Sequence, residues 1–239
     1  MAITAAHVKL FRSLPLPRGG SLLNIGEPNW YGDLPAGDAL DCGDGTTLTV
    51  AIDDSDLFAV AAMFYEATFS PSRVVSIDLH GTPAALQHDL NRPLPLGGQI
   101  FDVVINHGTA EHVFNIVQVF RTMHECCTDG GLMVHESPFT GWIEHGFYNL
   151  QPTLFYDLAA ANNYEIVLVA IETIEPPTII RLESREHVSK LATADKLPNN
   201  AQLFVAYRKR GYGKFLVPIQ GYYAQTLSEA GNRAWLAMR

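Results

Sequence analysis

The sequence has few cysteines, little positive charge and no long apolar run, and each shortage excludes a class of protein. Its three cysteines include the adjacent pair Cys126 and Cys127, and an odd number leaves at least one thiol free, which is unlike a disulfide framework. With 16 Lys and Arg against 25 Asp and Glu, no basic stripe exists to bind a nucleic-acid backbone. No segment reaches the roughly 18 apolar residues of a membrane span, and the N-terminus lacks a signal-peptide core. We therefore expect a cytoplasmic protein that binds neither nucleic acid nor membrane.

What is abundant is apolar material for a core. The chain has 239 residues, of which 47% are hydrophobic, enough for one large domain. We find no internal repeat and no convincing linker, so we expect a single domain over residues 1–239. Four short apolar segments have Gly or a polar residue at or next to their carboxyl ends, as strands buried on both faces of a parallel sheet tend to: "SLLNIG" (21–26), "RVVSIDL" (73–79), "FDVVIN" (101–106) and "GLMVHE" (131–136).

Helical patterns separate these strands. They cover residues 54–69, residues 111–127, where apolar residues recur at helical spacing before "TDGG", and the segment that begins at Pro152. Two later apolar stretches, 164–172 and 202–210, are expected strands, and the last of them is expected to be antiparallel. The alternation predicts an α/β fold with a doubly wound, mostly parallel sheet and helices on both faces. Residues 173–200 and 211–239 have no clear pattern.

Polar residues follow the predicted strands at their carboxyl ends, where open α/β sheets bind ligands. They are Gly26 and Glu27, Asp78, Asn106 to Gly108, and Glu136 to Pro138. The sequence therefore predicts one ligand pocket at this edge, with the segment "FDVVINHGTAEHV" forming a wall of it.

Asp78 indicates the type of ligand. A carboxylate at the end of the second strand can accept hydrogen bonds from both ribose hydroxyls of an adenosine group, and Gly26 allows the backbone to approach closely. A dinucleotide would need G-x-G-x-x-G, and "GEPNWY" offers a single glycine there. An adenosine ligand without phosphates therefore fits better. Asp53, at the end of "TLTVAIDD", is the rival ribose ligand.

The motifs in their order resemble those of Rossmann-like S-adenosylmethionine-dependent methyltransferases. The resemblance covers roughly residues 20 to 172 and rests on "LLNIG", "VVSIDLHG", "LQHDLNRPLP", "FDVVINHGTAEHV" and "GGLMVHESP". It implies a Rossmann-like methyltransferase fold and S-adenosyl-L-methionine as the cofactor. The chain departs from the family in its single glycine, Gly26, and in an insertion at about 27–53.

The resemblance also implies a role for individual residues. Gly26 and Glu27 would lie under the cofactor, and Asp78 would bind the ribose, with Leu79 beside it. Asp89 and Leu90 would flank the adenine. Asn106, His107 and Gly108 would line the methionine and sulfonium end.

The aromatic loop at about 137–151 is the expected acceptor side. Its apolar wall would be Phe139, Trp142, Phe147 and Tyr148, together with Phe155, and its polar groups would be His145, Asn149 and Gln151. The alternative is that some of these aromatics close the core. His107 and His145 are the candidate general bases, since a neutral imidazole can take a proton near pH 7. Either histidine can instead be structural.

Other polar residues receive structural interpretations. Glu111 is favourable in the first turn of a helix because of the helix dipole, and His112 is expected to pack locally. "HECC" (124–127) places metal-binding side chains at consecutive helix positions, which do not converge on one ion. No metal site is predicted.

We therefore expect an enzyme that transfers a methyl group from S-adenosylmethionine to an O, N or C nucleophile of a small molecule. Two alternatives stay open: an enzyme that uses the same cofactor for intramolecular alkylation or cyclisation, and a catalytically silent binding or scaffold protein with this fold. A homodimer is compatible with the sequence, which does not set the oligomeric state.

Overall fold

A computed structural model describes residues 2–3, 5–31, 39–41, 47–49, 57–95, 98–174, 176 and 178–237. The strands are β1 Ala2–Ile3, β2 Ser21–Ile25, β3 Asn29–Trp30, β4 Ala39–Asp41, β5 Thr47–Thr49, β6 Arg73–Asp78, β7 Leu86–Gln87, β8 Phe101–His107, β9 Cys127–Thr140, β10 Glu165–Thr173, β11 Thr178–Arg181 and β12 Ala201–Arg208. The helices are α1 Ala5–Arg12, α2 Leu57–Phe69, α3 Ile116–Cys126, α4 Pro152–Asn162, α5 Arg185–Thr193, α6 Gly221–Thr226 and α7 Glu229–Ala237. A 3-10 turn covers Ala110–His112.

Eight strands form one sheet in the order β11-β10-β12-β9-β8-β2-β6-β7. The five strands from β9 to β7 are parallel to one another. Strand β12 lies between β9 and β10 and is antiparallel to both. The predicted α/β class, the mostly parallel sheet and the antiparallel last strand are confirmed.

The central strands are buried on both faces, and each face has its own apolar cluster. In β8, six of seven residues are buried, because helices cover both sides of a parallel sheet. On one face Phe11 of α1 and Phe64 of α2 pack over Val103. On the other, Phe120 of α3 and Phe155 of α4 belong to a second cluster. The helices therefore lie on both faces, as predicted.

Several boundaries differ from the prediction. The helix predicted over 111–127 is divided into the 3-10 turn and α3, because Val113 between them has an extended backbone. The strand predicted at 131–136 extends to Thr140, because β12 pairs with it along this length. Phe139 therefore lies in a strand and not in a loop. The predicted helix start at Pro152 is confirmed, and α4 ends before Asn163, which has a φ of 54°.

The segments without a predicted pattern contain further elements. Strand β11 and helix α5 lie within 173–200, and α6 and α7 lie within 211–239. In the insertion at 27–53, β4 and β5 form an antiparallel pair. Asp53 and Cys42 lie outside the described residues.

Among the helices that the structure describes, none combines the length and the apolar character needed to cross a bilayer.

Candidate functional site

A cavity of about 190 Å³ lies at the carboxyl ends of β2 and β6. Five of the predicted cofactor-binding residues line it: Gly26, Asp78, Leu79, Asp89 and Leu90. They come from three separate stretches of sequence, and the parallel arrangement of β2 and β6 brings the first two stretches together. The expectation that a pocket lies at the carboxyl ends of the strands therefore corresponds to a cavity in the structure.

Gly26 occupies a position that strongly disfavours a side chain. Its φ is +92°, and a Cβ added there would lie 2.2 Å from Oγ1 of Thr109. Its N–H donates to the carbonyl of Ile77 at 2.7 Å, which fixes the turn after β2 against the end of β6. The backbone therefore passes close to Thr109, another residue that lines the cavity.

Asp78 is half-buried and holds the turns around it. One carboxylate oxygen accepts from the backbone N–H of Glu27 at 2.9 Å, and the other accepts from that of His80 at 2.9 Å. A carboxylate has about four lone-pair sites, so Asp78 keeps acceptor capacity for a ligand. A second cavity of about 280 Å³ is also lined by Asp78, which therefore stands between the two spaces.

Glu27 lies close to Asp78, and its carboxylate is engaged with a loop. It accepts from the backbone N–H of Thr82 at 2.6 Å and from the Thr82 hydroxyl at 2.7 Å. Glu27 does not line the 190 Å³ cavity. Its contacts give it the role of holding the loop after β6.

Asp89 and Leu90 lie in a loop that is ordered by its own side chains. The backbone N–H and the side-chain amide of Asn91 donate to Asp89 Oδ1 at 2.9 Å and 2.7 Å. The first of these hydrogen bonds is the main reason that the pKa of Asp89 is lowered. Asn91 also accepts from the backbone N–H of Asn115 at 2.8 Å. The loop is thereby tied to the start of α3.

Asn106 and Gly108 lie behind the cavity lining. The buried Asn106 side chain accepts from the backbone N–H of Ala110 at 2.9 Å and donates to the carbonyl of Glu136 at 3.4 Å. Gly108 donates its N–H to the same carbonyl at 3.1 Å. Both residues therefore shape the turn that carries Thr109 and His112 to the cavity.

His107 projects to the opposite face of the sheet. Side chains alternate along a strand, and the neighbours of His107 are His7 and Phe11 of α1, with ring-centroid distances of 4.1 Å and 6.3 Å. It also contacts Glu136. Burial is the main reason that the pKa of His107 is lowered. The side chain does not line the cavity, so the structure does not place His107 where the predicted contact with the cofactor would need it.

A buried carboxyl group and two histidines lie next to the cavity. Glu111 has an exposed fraction of 0%, and neither of its carboxyl oxygens has a hydrogen-bond partner among the described residues. Burial raises the pKa of Glu111 to about 8. His145 Nε2 lies 3.8 Å from Glu111 Oε1. The His145 ring also lies 4.9 Å from that of His112, which lines the cavity.

The loop after β9, which carries His145, contains unusual backbone conformations. Trp142 and Glu144 have φ values of 51° and 60°, which cost on the order of 1 kcal/mol or more each. The loop is held by hydrogen bonds from the Trp142 N–H to Asn200 Oδ1 at 3.2 Å and from Asn149 Nδ2 to the Gly141 carbonyl at 2.7 Å. Strain of this kind clusters at functional sites.

The remaining predicted acceptor residues are divided between core and surface. Phe139 and Phe155 are buried members of the apolar core. Phe147 has an exposed fraction of 65% and contacts the ring of Phe114 at 5.8 Å. Tyr148 donates its hydroxyl to the carbonyl of Phe114 at 2.7 Å. The structure therefore leaves Phe147 as the freely accessible apolar side chain of this predicted set.

Solved structures give an independent measure of the fold. A protein from Bacillus halodurans that is assigned as a methyltransferase has a TM-score of 0.50 to this chain, with 11% identity over 85% of this chain and 98% of the other. This chain has the Rossmann-like methyltransferase fold.

Two further structures are similar to this methyltransferase-fold protein. An S-adenosylmethionine-dependent methyltransferase from Mesorhizobium loti has a TM-score of 0.49 and 16% identity, covering 86% of this chain and 98% of the other. The N-methyltransferase NodS from Bradyrhizobium japonicum, solved with S-adenosylhomocysteine, has a TM-score of 0.48 and 12% identity, covering 86% of each chain. No family model matches the sequence, and no curated protein matches it.

The methyltransferase-fold cavity also contains residues that sequence reasoning did not select: Ile77, His88, Asn91, Thr109, His112 and Val113. Most of them stand inside the quoted motifs, in "HDLN" and "GTAEHV". The sequence therefore identified the right motifs, but it did not show which residues of each motif line the cavity. His112 and Val113 were assigned to the helix predicted over 111–127, so their exposure to the cavity was missed.

Proposed function

We propose that this protein is an S-adenosylmethionine-dependent methyltransferase that acts on a small molecule. The observation that carries the proposal is the 190 Å³ cavity at the strand ends, lined together by Gly26, Asp78, Asp89 and Leu90. Ligand sites in proteins are about 300–1,000 Å³, so this cavity takes part of a ligand, and the second cavity at Asp78 adds room.

The residues at the cavity suit an adenosine ligand that carries no phosphate. The half-buried Asp78 carboxylate would accept hydrogen bonds from the ribose hydroxyls, as an acid at this strand end can. Asp89, with its lowered pKa, would accept from the adenine amino group, and Leu90 would pack against the ring. Gly26, which has no space for a Cβ, allows close approach of the backbone. Thr109 and His112 would close the same space from α3's side.

When bound, S-adenosylmethionine supplies an electrophilic methyl group on its sulfonium sulfur. The protein's own tasks are then to hold the acceptor in line, to exclude water and to remove a proton where the acceptor carries one. His145 would take that proton, since its ring lies beside that of His112, which lines the cavity.

Glu111 would orient His145 for this transfer. Their separation of 3.8 Å is too long for a hydrogen bond, and such contacts often shorten when the substrate binds. With a pKa near 8, Glu111 changes charge close to neutral pH. Phe147 and Trp142 would form the apolar part of the acceptor site.

Titration calorimetry with S-adenosylmethionine tests the proposal, with Asp78→Asn as the diagnostic variant. We expect the dissociation constant to rise by about 10- to 100-fold, because a hydrogen bond to a charged group contributes about 1.5–3 kcal/mol. Asp195→Asn is the matched control: the residue lies outside the cavity and has a φ of 54°, which asparagine tolerates.

The outcome also separates the alternatives. Full loss of affinity in Asp53→Asn with unchanged affinity in folded Asp78→Asn would assign the ribose to Asp53. An absence of binding heat in the wild type, together with no S-adenosylhomocysteine in native mass spectra, would favour the silent scaffold. Mass analysis of the product distinguishes a methylated acceptor from a cyclised one.

A further inference from the structure

A second cluster of ionisable side chains lies beneath α1, on the face of the sheet opposite the cavity. It consists of His7 of α1, His107 of β8, Glu136 of β9 and Glu172 of β10. Their exposed fractions are 1%, 0%, 1% and 2%. Titratable groups of three elements therefore converge in a buried region, and Glu172 of a fourth element joins them through His7.

The candidate donor atoms are close to one another. His7 Nε2 lies 2.8 Å from Glu172 Oε1 and 3.3 Å from Glu136 Oε1, and His107 Nε2 contacts Glu136 Oε2. The donor atoms of His7, His107 and Glu136 all lie within 4.8 Å of one another. Bonds of about 2.0–2.1 Å to a tetrahedral zinc ion would separate neighbouring ligand atoms by about 3.3 Å.

The charges of the cluster favour a bound cation. Two carboxylates in a dry environment are costly unless a positive charge balances them, and the described ion pairs of Glu136 and Glu172 are with histidines. A divalent ion with two neutral imidazoles and two carboxylates gives a net charge of zero. Glu172 Oε2 also has no hydrogen-bond partner among the described residues.

We propose that His7, His107, Glu136 and Glu172 bind one divalent transition-metal ion. Imidazole nitrogens and carboxylate oxygens are ligands that zinc accepts. Four protein ligands in a fully buried site leave no open position for a substrate, which is the arrangement of a structural site. The ion joins α1 to three strands of the sheet, so metal binding stabilises the packing of the N-terminal segment.

The experiment uses full-length protein produced and refolded with Co²⁺ or Zn²⁺ and then freed of loosely bound metal. Elemental analysis gives the metal content, and the visible d–d absorption of Co²⁺ reports the coordination geometry. His7→Gln and Glu172→Gln remove one ligand each. His135→Gln is the matched control, because His135 is buried on the same strand as Glu136 but packs against Phe120 and Phe155 on the other face.

We expect one tetrahedral ion per chain in the wild type and in His135→Gln, and a melting temperature that falls when a chelator removes it. His7→Gln should weaken zinc binding by at least about 100-fold, since even the loss of an outer partner of a metal ligand costs about 10- to 100-fold. Wild-type protein that holds no stoichiometric metal after refolding with zinc overturns the proposal, whether or not the variants fold.

Binding at a different place also overturns it. The groups Glu111, His112 and His145 form another cluster with donor atoms within 4.8 Å. If the Co²⁺ absorption disappears in His145→Ala and persists in His7→Gln, the ion belongs to that cluster. Calorimetry with S-adenosylmethionine on the same preparation shows whether cofactor binding fails independently.

Discussion

His145 and Glu111 have complementary properties at the scale of single residues. His145 is partly exposed on the loop after β9, whereas Glu111 is fully buried beneath it. An exposed imidazole can exchange protons with an acceptor, and a buried carboxyl group can hold the imidazole in one orientation. Neither side chain lines the 190 Å³ cavity, so changes in them should affect the acceptor more than the cofactor.

We therefore expect His145→Ala to lower turnover by about 100-fold or more, the low end for general acid–base catalysis. The affinity for S-adenosylmethionine, measured by calorimetry, should stay within about twofold of the wild type by the same reasoning. His187→Ala, which removes a histidine of α5, is the control. Wild-type turnover in a stable His145→Ala protein would exclude the proton-transfer role.

Glu111 should make stability depend on pH. Burial raises its pKa from 4.5 in the unfolded chain to about 8 in the folded one, so the folded protein binds the extra proton between these values. The stabilisation that comes from this proton is fully present below the pKa of the unfolded chain. It is lost as pH rises toward the pKa of the folded protein, and above that pKa the free energy of unfolding no longer changes through Glu111.

Glu111→Gln should remove this dependence. Urea unfolding measures the free energy of unfolding of the wild type and the variant at about pH 5 and at about pH 8. The difference between the two proteins should change by on the order of a few kcal/mol between these pH values, and the variant should be relatively more stable at the higher pH. A difference that is the same at both pH values would mean that Glu111 is ionised in the folded protein across this range.

The sequence predicted part of the cavity lining at residue level, for a physical reason. Parallel strands end at one edge, so Gly26 and Asp78 had to meet there. The absence of His107 from the lining has an equally simple cause. Successive side chains of a strand point to opposite faces, so Asn106 and His107 diverge although they are adjacent. The sequence motif could not show which of the two faced the cavity.

Helix α3 illustrates how one element depends on a distant side chain. Lys209 is 3% exposed, and its ammonium group donates to the carbonyl oxygens of His124 at 2.6 Å and Cys127 at 2.8 Å. Carbonyl groups at a helix C-terminus lack partners within the helix. Lys209 therefore satisfies the end of α3 and the start of β9 together.

Lys209→Met keeps the length of the side chain and removes the donor. We expect the free energy of unfolding to fall by about 1.5–3 kcal/mol, as hydrogen bonds from a charged group contribute this much. Lys214→Met is the control, because Lys214 is exposed. Equal unfolding midpoints for the two variants in urea would show that water replaces the ammonium group at no cost.

Element boundaries were less predictable than element types. Strand β9 is 14 residues long, and its last part depends on pairing with β12, more than 60 positions later. Local composition carries no information about such a distant partner. The 3-10 turn at Ala110–His112 was missed because the apolar spacing of 113–123 continues the same helical pattern.

At the scale of the whole molecule, the class of fold followed from the alternation of strands and helices. The order of the strands in the sheet did not follow from this alternation. Segments 164–172 and 202–210 are both apolar, and both become buried strands, so composition could not decide which would lie next to β9. The packing of the complete sheet determines which strand pairs with β9.

The central place of β12 has a consequence for synthesis on the ribosome. Chains emerge from the N-terminus, and domains fold as their segments become available. Because β12 fills the position between β9 and β10, the edges of both strands stay unpaired until residues 201–208 have been made. An unpaired edge is a site for association with other chains. Translation that stops before residue 201 would therefore release a chain with a gap in its sheet, and such a chain would be prone to aggregation.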